Sequence, residues 1–287
     1  MHTWTADHTF FLSDMYSGTT LTNKSGAVLG AHQKIDRVAY KHLRLLVEDA
    51  PFPGVRDILH FEGKNGPDGI KRKSPAKDEP WHFYDPFDDT DTQLLDDIQQ
   101  HYDELTRQLK KGNPERAAFD AAWLAHAVVD GLTPAHHYPY EEKMLEIRGG
   151  GTLKERNTVK SKIIVPGDTV AQTLQRNWDV YGIKGLLSMH GFFEFGVAAL
   201  LAPIKMNASR IRASDIDTLI EVGYLEVFKR AAREIALLDM YERFNEHGWT
   251  IRLSRDIRNH LGPIMARTVT LVWYSAMRDA GLLRGKK

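Results

Sequence analysis

The chain has no cysteine, so disulfides and thiolate metal sites are closed to it, and any bound metal must be held by nitrogen and oxygen. It also lacks a long apolar run. The stretch Val197-Ala-Ala-Leu-Leu-Ala falls well short of the ~20 residues needed to span a bilayer. Neither sign of charge is in excess: Lys+Arg and Asp+Glu each number 38, which leaves no global field pulling the chain toward nucleic acid or anionic lipid. The amino terminus has no basic segment leading into an apolar one, so no secretory signal is expected, and residence is cytoplasmic if the chain is the full product. Internal repeats and low-complexity tracts are absent too. The 287 residues, 42% hydrophobic and 26% charged, suffice for one large core, and the expectation is one α-helical domain over residues 1–287.

Hydrophobic periodicity predicts helices over 31–48, 92–111, from Pro114 through Val129, and over 183–202, 214–245 and 252–281. Gly112 stops the second, and Pro114 opens the third at a favourable first-turn position. Residues 50–90 and 148–182 read as long loops, with Lys162-Ile-Ile-Val165 as a short strand or extended arm. Residues 1–30 read as an amino-terminal extension.

Against this background one run carries chemistry: His126-Ala-Val-Val-Asp130-Gly-Leu-Thr-Pro134-Ala-His136. On a helix His126 and Asp130 share a face. Gly131 and Pro134 then break the helix and turn His136 back toward that face. Two imidazoles and a carboxylate at one spot suit a borderline-soft divalent cation, zinc above all. Further donors stand in apolar or turn contexts: His32 at a helix start, Asp57 in the turn Pro53-Gly-Val-Arg-Asp57, His82 within Trp81-His-Phe-Tyr-Asp-Pro86, and His190 with Glu194 one turn apart among phenylalanines. A carboxylate such as Glu194 is costly to bury unpaired, and a cation removes that cost. Trp81, Phe83 and Tyr84 either line a cleft or simply pack. The basic run Lys71-Arg-Lys73 is either a solvated face or an attractor of anionic groups.

In this order the residues resemble the zinc-dependent bacterial phospholipases C and their relatives, the single-strand-specific zinc nucleases. The likeness spans roughly residues 30–200, and its strongest pieces are His82-Phe-Tyr-Asp-Pro and the ungapped HxxxDxxxPxH spacing. The resemblance implies an all-α multi-helix bundle whose cleft holds two or three Zn²⁺ ions and hydrolyses phosphodiesters with a hydroxide shared between metals. It places Asp57, His82, His126 and Asp130 at a first metal site and His136, His190 and Glu194 at a second. It has Asp130 bridge to a third ion also held by His32, and makes Asp57 the general base. Asp85 would orient an imidazole from behind.

Three departures leave alternatives open. The family's amino-terminal Trp ligand has no counterpart beside His32, with His2 or His8 as substitutes. His137 with Glu141 or Glu142 rivals the second-site donors, and Asp68 competes with Asp57. A phospholipid or other phosphodiester is the expected substrate, with transient membrane-surface contact. A nuclease on the same scaffold, needing base-stacking aromatics and a basic track, is the alternative. A metal-bound but non-hydrolytic binding protein is the other.

Overall fold

The computed structural model describes residues 30–62, 65–73, 80–151 and 158–283. The amino-terminal extension with His2 and His8, and the loop lysines Lys64 and Lys77, lie outside the described residues. In chain order the helices are α1 (Ala31–Val47), α2 (Val55–His60), α3 (Pro67–Lys73), α4 (Gln93–Lys111), α5 (Pro114–Gly131), α6 (Tyr140–Arg148), α7 (Val159–Ile163), α8 (Val170–Tyr181), α9 (Leu186–Leu201), α10 (Ala213–Val222), α11 (Tyr224–Ala236), α12 (Met240–His247), α13 (Ile251–Asp256) and α14 (Gly262–Asp279). Among the described residues there is no strand, and the expected all-α class is the class observed.

Helix α5 is the axis of the bundle. Asn113 caps it by accepting from the Arg116 backbone N–H at 3.2 Å, and Pro114 occupies its first turn. Its alanines, Ala117, Ala118, Ala121, Ala122 and Ala125, are fully buried, and such small side chains let neighbouring helices approach closely. Helix α4 lies along it through Leu94, Ile98 and Leu105, while α1 (Ile35, Ala39, Leu43) and α14 pack against each other and against α5. Trp273 of α14 is fully buried and donates its indole N–H to the Ala121 carbonyl at 3.0 Å, a link between the two central helices. A bundle of this kind buries its helix stripes around one axis and brings α5, with its polar residues, to the centre.

Several predicted elements are corrected. The 50–90 and 148–182 segments are not loops throughout, because each contains two short helices, α2 with α3 and α7 with α8. Instead of a strand at 162–165, α7 runs to Ile163, and the backbone of buried Val165 is paired with the Asn177 side-chain amide, 3.2 Å at its N–H and 2.8 Å at its carbonyl. The predicted helix over 214–245 is cut where Gly223 and Asp239 take positive φ. The predicted helix over 252–281 passes through a widened π turn at Ile257–Leu261 just before Pro263, whose ring removes an N–H and crowds the preceding turn.

One close approach bears on the centre. A Cβ on Gly131 would lie 2.5 Å from Phe228 Cζ and 2.7 Å from Leu94 Cδ2. Gly131→Ala is therefore expected to destabilise by about 1–3 kcal/mol through overpacking, checked by urea unfolding; an unchanged midpoint would contradict this packing.

Candidate metal centre

Five segments deliver side chains to one buried volume. The first turn of α1 carries His32, the carboxy-terminal half of α5 carries His126 and Asp130, and the 3₁₀ turn Pro134–His136 ends on His136. Helix α9 carries His190 and Glu194 on its inner face, since residues four apart stack on one side of a helix. His82 comes from the extended segment before α4, which is pinned in place where the Tyr84 backbone N–H donates to the His136 carbonyl at 3.1 Å. All seven of these residues are buried.

Asp130 stands at the centre of the set. One of its oxygens lies 3.4 Å from His32 Nε2 and 3.4 Å from His136 Nδ1; the other lies 3.1 Å from His126 Nε2 and is hydrogen-bonded to His82 Nδ1. Glu194 Oε1 is shared by His136 Nε2 at 3.0 Å and His190 Nε2 at 3.1 Å. The rings are ordered in layers. His32 stacks on His126 at 4.1 Å, and His136 stacks on His190 at 5.0 Å. Phe83 lies 5.4 Å from the His136 ring and stacks on Tyr140 at 5.2 Å, so of the three aromatics near His82 it is the one beside the imidazoles. Tyr84 packs in the core against Phe228, and Trp81 packs edge-on to Phe83.

Among the described residues, three groups of donor atoms lie close enough to hold an ion: His32 with Glu62 and His126; Asp68 with His82 and His126; His136 with His190 and Glu194. The third is the trio that the family resemblance implies. The others bring in two carboxylates: Glu62 from the connection between α2 and α3, buried, with Oε1 3.1 Å from His126 Nδ1, and Asp68 from the first turn of α3, whose Oδ1 is 3.8 Å from His126 Nε2.

Asp57 is not brought to this volume. It is exposed in the first turn of α2, belongs to none of the three groups, and its backbone N–H bonds to the Gly54 carbonyl. An acid there complements the helix dipole, which accounts for its position without a cation. Asp85 does not orient His82 either: it is exposed, and it accepts from the Phe87 backbone N–H at 2.9 Å. His137, Glu141 and Glu142 stand in none of the groups. His137 Nε2 lies 2.9 Å from the Gly131 carbonyl, and burial lowers its pKa to about 4, so it is a neutral ring tied to the end of α5.

The electrostatics show how tightly the centre is coupled. Burial works to raise the Asp130 carboxyl, yet His126, His82 and His136 hold it well below the usual carboxylate range. Burial is likewise overridden at Glu194 by His190 and His136, which keep it ionised. At His126 desolvation favours the neutral ring, but Asp130, Glu62 and Asp68 lift its pKa well above the ordinary value. Burial, then the Glu62 charge, push the Asp36 carboxyl well up. Negative charge concentrated in a dry interior needs a compensating positive charge, and protons on imidazoles or a bound cation both supply it. The donor set is all nitrogen and oxygen, with ring nitrogens aimed inward, and it fits zinc better than a hard cation that demands oxygen alone.

Neither a family model nor a curated protein matches the sequence of this chain. Among solved structures, the chain is similar to the alpha-toxin of Clostridium perfringens from an avian strain, with a TM-score of 0.55 and 14% identity over 92% of this chain and 66% of that one. It thus spans just under two thirds of the toxin's length. At this identity the likeness is one of fold, and it is the all-α bundle described above that matches the covered part of that toxin.

Proposed function

We propose that this chain is a zinc-dependent hydrolase of phosphodiesters, acting as a phospholipase C. The observation that carries this reading is the convergence of His32, His82, His126, Asp130, His136, His190 and Glu194 from separate segments onto one buried volume. The fold shared with the alpha-toxin is the all-α bundle that the family resemblance implies, which points the same way. The residues that would hold zinc are His136, His190 and Glu194 at one position and Asp68, His82 and His126 at another, with Asp130 between them and His32 beside it. What zinc supplies to such a site is Lewis acidity, which polarises a phosphoryl oxygen and makes water a nucleophile near neutral pH.

The protein's own contribution is positioning and proton handling. Asp68 takes the role that the resemblance gave to Asp57: it stands next to His126, is partly exposed, and its Oδ2 has no hydrogen-bond partner among the described residues. A carboxylate so placed can accept a proton from attacking water. Phe83 and Tyr140, stacked beside His136 and His190, form an apolar wall that excludes water from that side. Among the described residues no helix is long and apolar enough to cross a membrane, so lipid would be met at its surface.

The same Phe83–Tyr140 stack supports a second reading, a nuclease, because an aromatic plane beside the donors is what a splayed base stacks on. Turnover of a phosphatidylcholine analogue, single-stranded DNA and an aryl phosphodiester, with and without chelator, separates these readings. Bound zinc without turnover of any of the three would favour a binding protein instead. Within the hydrolase reading, Asp68→Asn is expected to lower turnover by about 10²–10⁴-fold. Asp57→Asn should leave it unchanged; the reverse pattern would restore Asp57 as the base.

A further inference from the structure

We infer that Glu62 is a positioning residue that fixes the tautomer and the plane of His126 from behind, and is not itself a ligand of the ions. The inference rests on the metal reading above and adds to it a residue that the sequence pattern did not single out. The two nitrogens of His126 face opposite ways. Nε2 looks toward Asp130 at 3.1 Å and Asp68 at 3.8 Å, while Nδ1 looks away from them toward Glu62, 3.1 Å from Oε1 and 3.4 Å from Oε2. One imidazole cannot present the same edge to both groups. If Nε2 serves the position shared with His82 and Asp68, then Nδ1 is left to donate its hydrogen to Glu62.

That assignment answers a physical need. A free imidazole exchanges its proton between two nitrogens, and a ring that must offer a lone pair at Nε2 needs an acceptor at Nδ1 to hold the hydrogen there. A carboxylate on the far nitrogen also raises the basicity of the near one, and with it the affinity for a cation. Glu62 meets the geometric demand: it is 1% exposed, so its field is not screened by water, and its two oxygens straddle the Nδ1 direction. His32 stacks flat on His126 from one side and resists tilting of the ring, and Glu62 fixes which of its edges faces the ions. Asp36, one turn after His32 on α1 and also 1% exposed, is a second buried carboxyl that feels the charges of Glu62 and His126.

The test uses the full chain and zinc. Metal per chain is counted by elemental analysis, affinity is read by competition with a chromophoric chelator, and the His126 ring hydrogen is followed by ¹⁵N-edited NMR of the zinc-loaded protein. Glu62→Gln, which keeps size and an acceptor oxygen, should bind the same number of ions about 10–100-fold more weakly and move the Nδ1–H resonance. Glu62→Ala should lose that resonance to solvent exchange. Should the alanine variant fail to fold, judged by circular dichroism, the glutamine variant carries the decision alone. An unchanged affinity and resonance in Glu62→Gln would overturn the proposal. So would loss of one whole metal equivalent, which would make Glu62 a ligand with His32. A wild-type chain that binds no zinc at all would instead remove the metal reading, and this inference with it.

Discussion

Asp130→Asn is expected to empty the centre of metal and to abolish turnover in the same step. The side chain is fully buried and touches four imidazoles, those of His32, His82, His126 and His136. Asparagine preserves the shape but removes the charge, and it turns an N–H₂ donor toward ring N–H groups where a carboxylate oxygen now accepts. A loss of metal affinity of roughly 100-fold or more follows, since removing even an outer partner of a ligand costs about 10–100-fold. The ion-free protein should weaken too, because breaking a buried charge cluster on one side costs about 3–5 kcal/mol. Elemental analysis and phosphodiester turnover read the first effect, and urea unfolding in chelator reads the second. A variant that keeps both its metal count and its rate would end the scheme, because Asp130 contacts imidazoles in both halves of the cluster.

How much of this centre was legible in the sequence depends on how local each part is. His126, Asp130 and His136 lie on one helix end and the turn that follows, so spacing alone brings them together, and the structure keeps that arrangement. His190 and Glu194 were legible for a related reason: an acid one turn from a histidine in an apolar helix has little else to face. Glu62 and Asp68 were harder. They sit in and beside short helices, where burial follows from tertiary packing and leaves no periodic mark. Asp57 stands out in the sequence because Pro53 and Gly54 frame it, but those residues lead into α2, and the acid serves the helix end. The helix pattern behaved likewise. α1, α4 and α5 carry clear stripes and boundary residues, whereas the break at Asp239 depends on a left-handed backbone at a residue that does not demand one. Gly223, by contrast, was a readable stop inside the predicted 214–245 helix.

Removal of metal should be visible in stability as well as in rate. Within the bundle, Asp130, Glu62 and Asp68 hold His126 charged, the imidazoles of His126, His82 and His136 hold Asp130 ionised, and His190 and His136 do the same for Glu194, so the ion-free cluster balances its charges with protons. A cation that displaces those protons binds the folded arrangement and finds no such convergence in the unfolded chain. At a thousandfold excess over Kd, this coupling stabilises the fold by about 4 kcal/mol. For a chain of this size each kcal/mol moves Tm by about 2–4 °C, so chelation should lower Tm by roughly 8–16 °C. Zinc added back should restore it, while calcium should not, because imidazole nitrogens dominate the donor set and calcium takes oxygen. Differential scanning calorimetry with a metal chelator, then with each ion in turn, reads this directly. A Tm indifferent to chelator and zinc alike would mean that the imidazoles and carboxylates around Asp130 hold the helices together by hydrogen bonds alone. Equal rescue by calcium would mean that the carboxylates, and not the ring nitrogens, choose the ion.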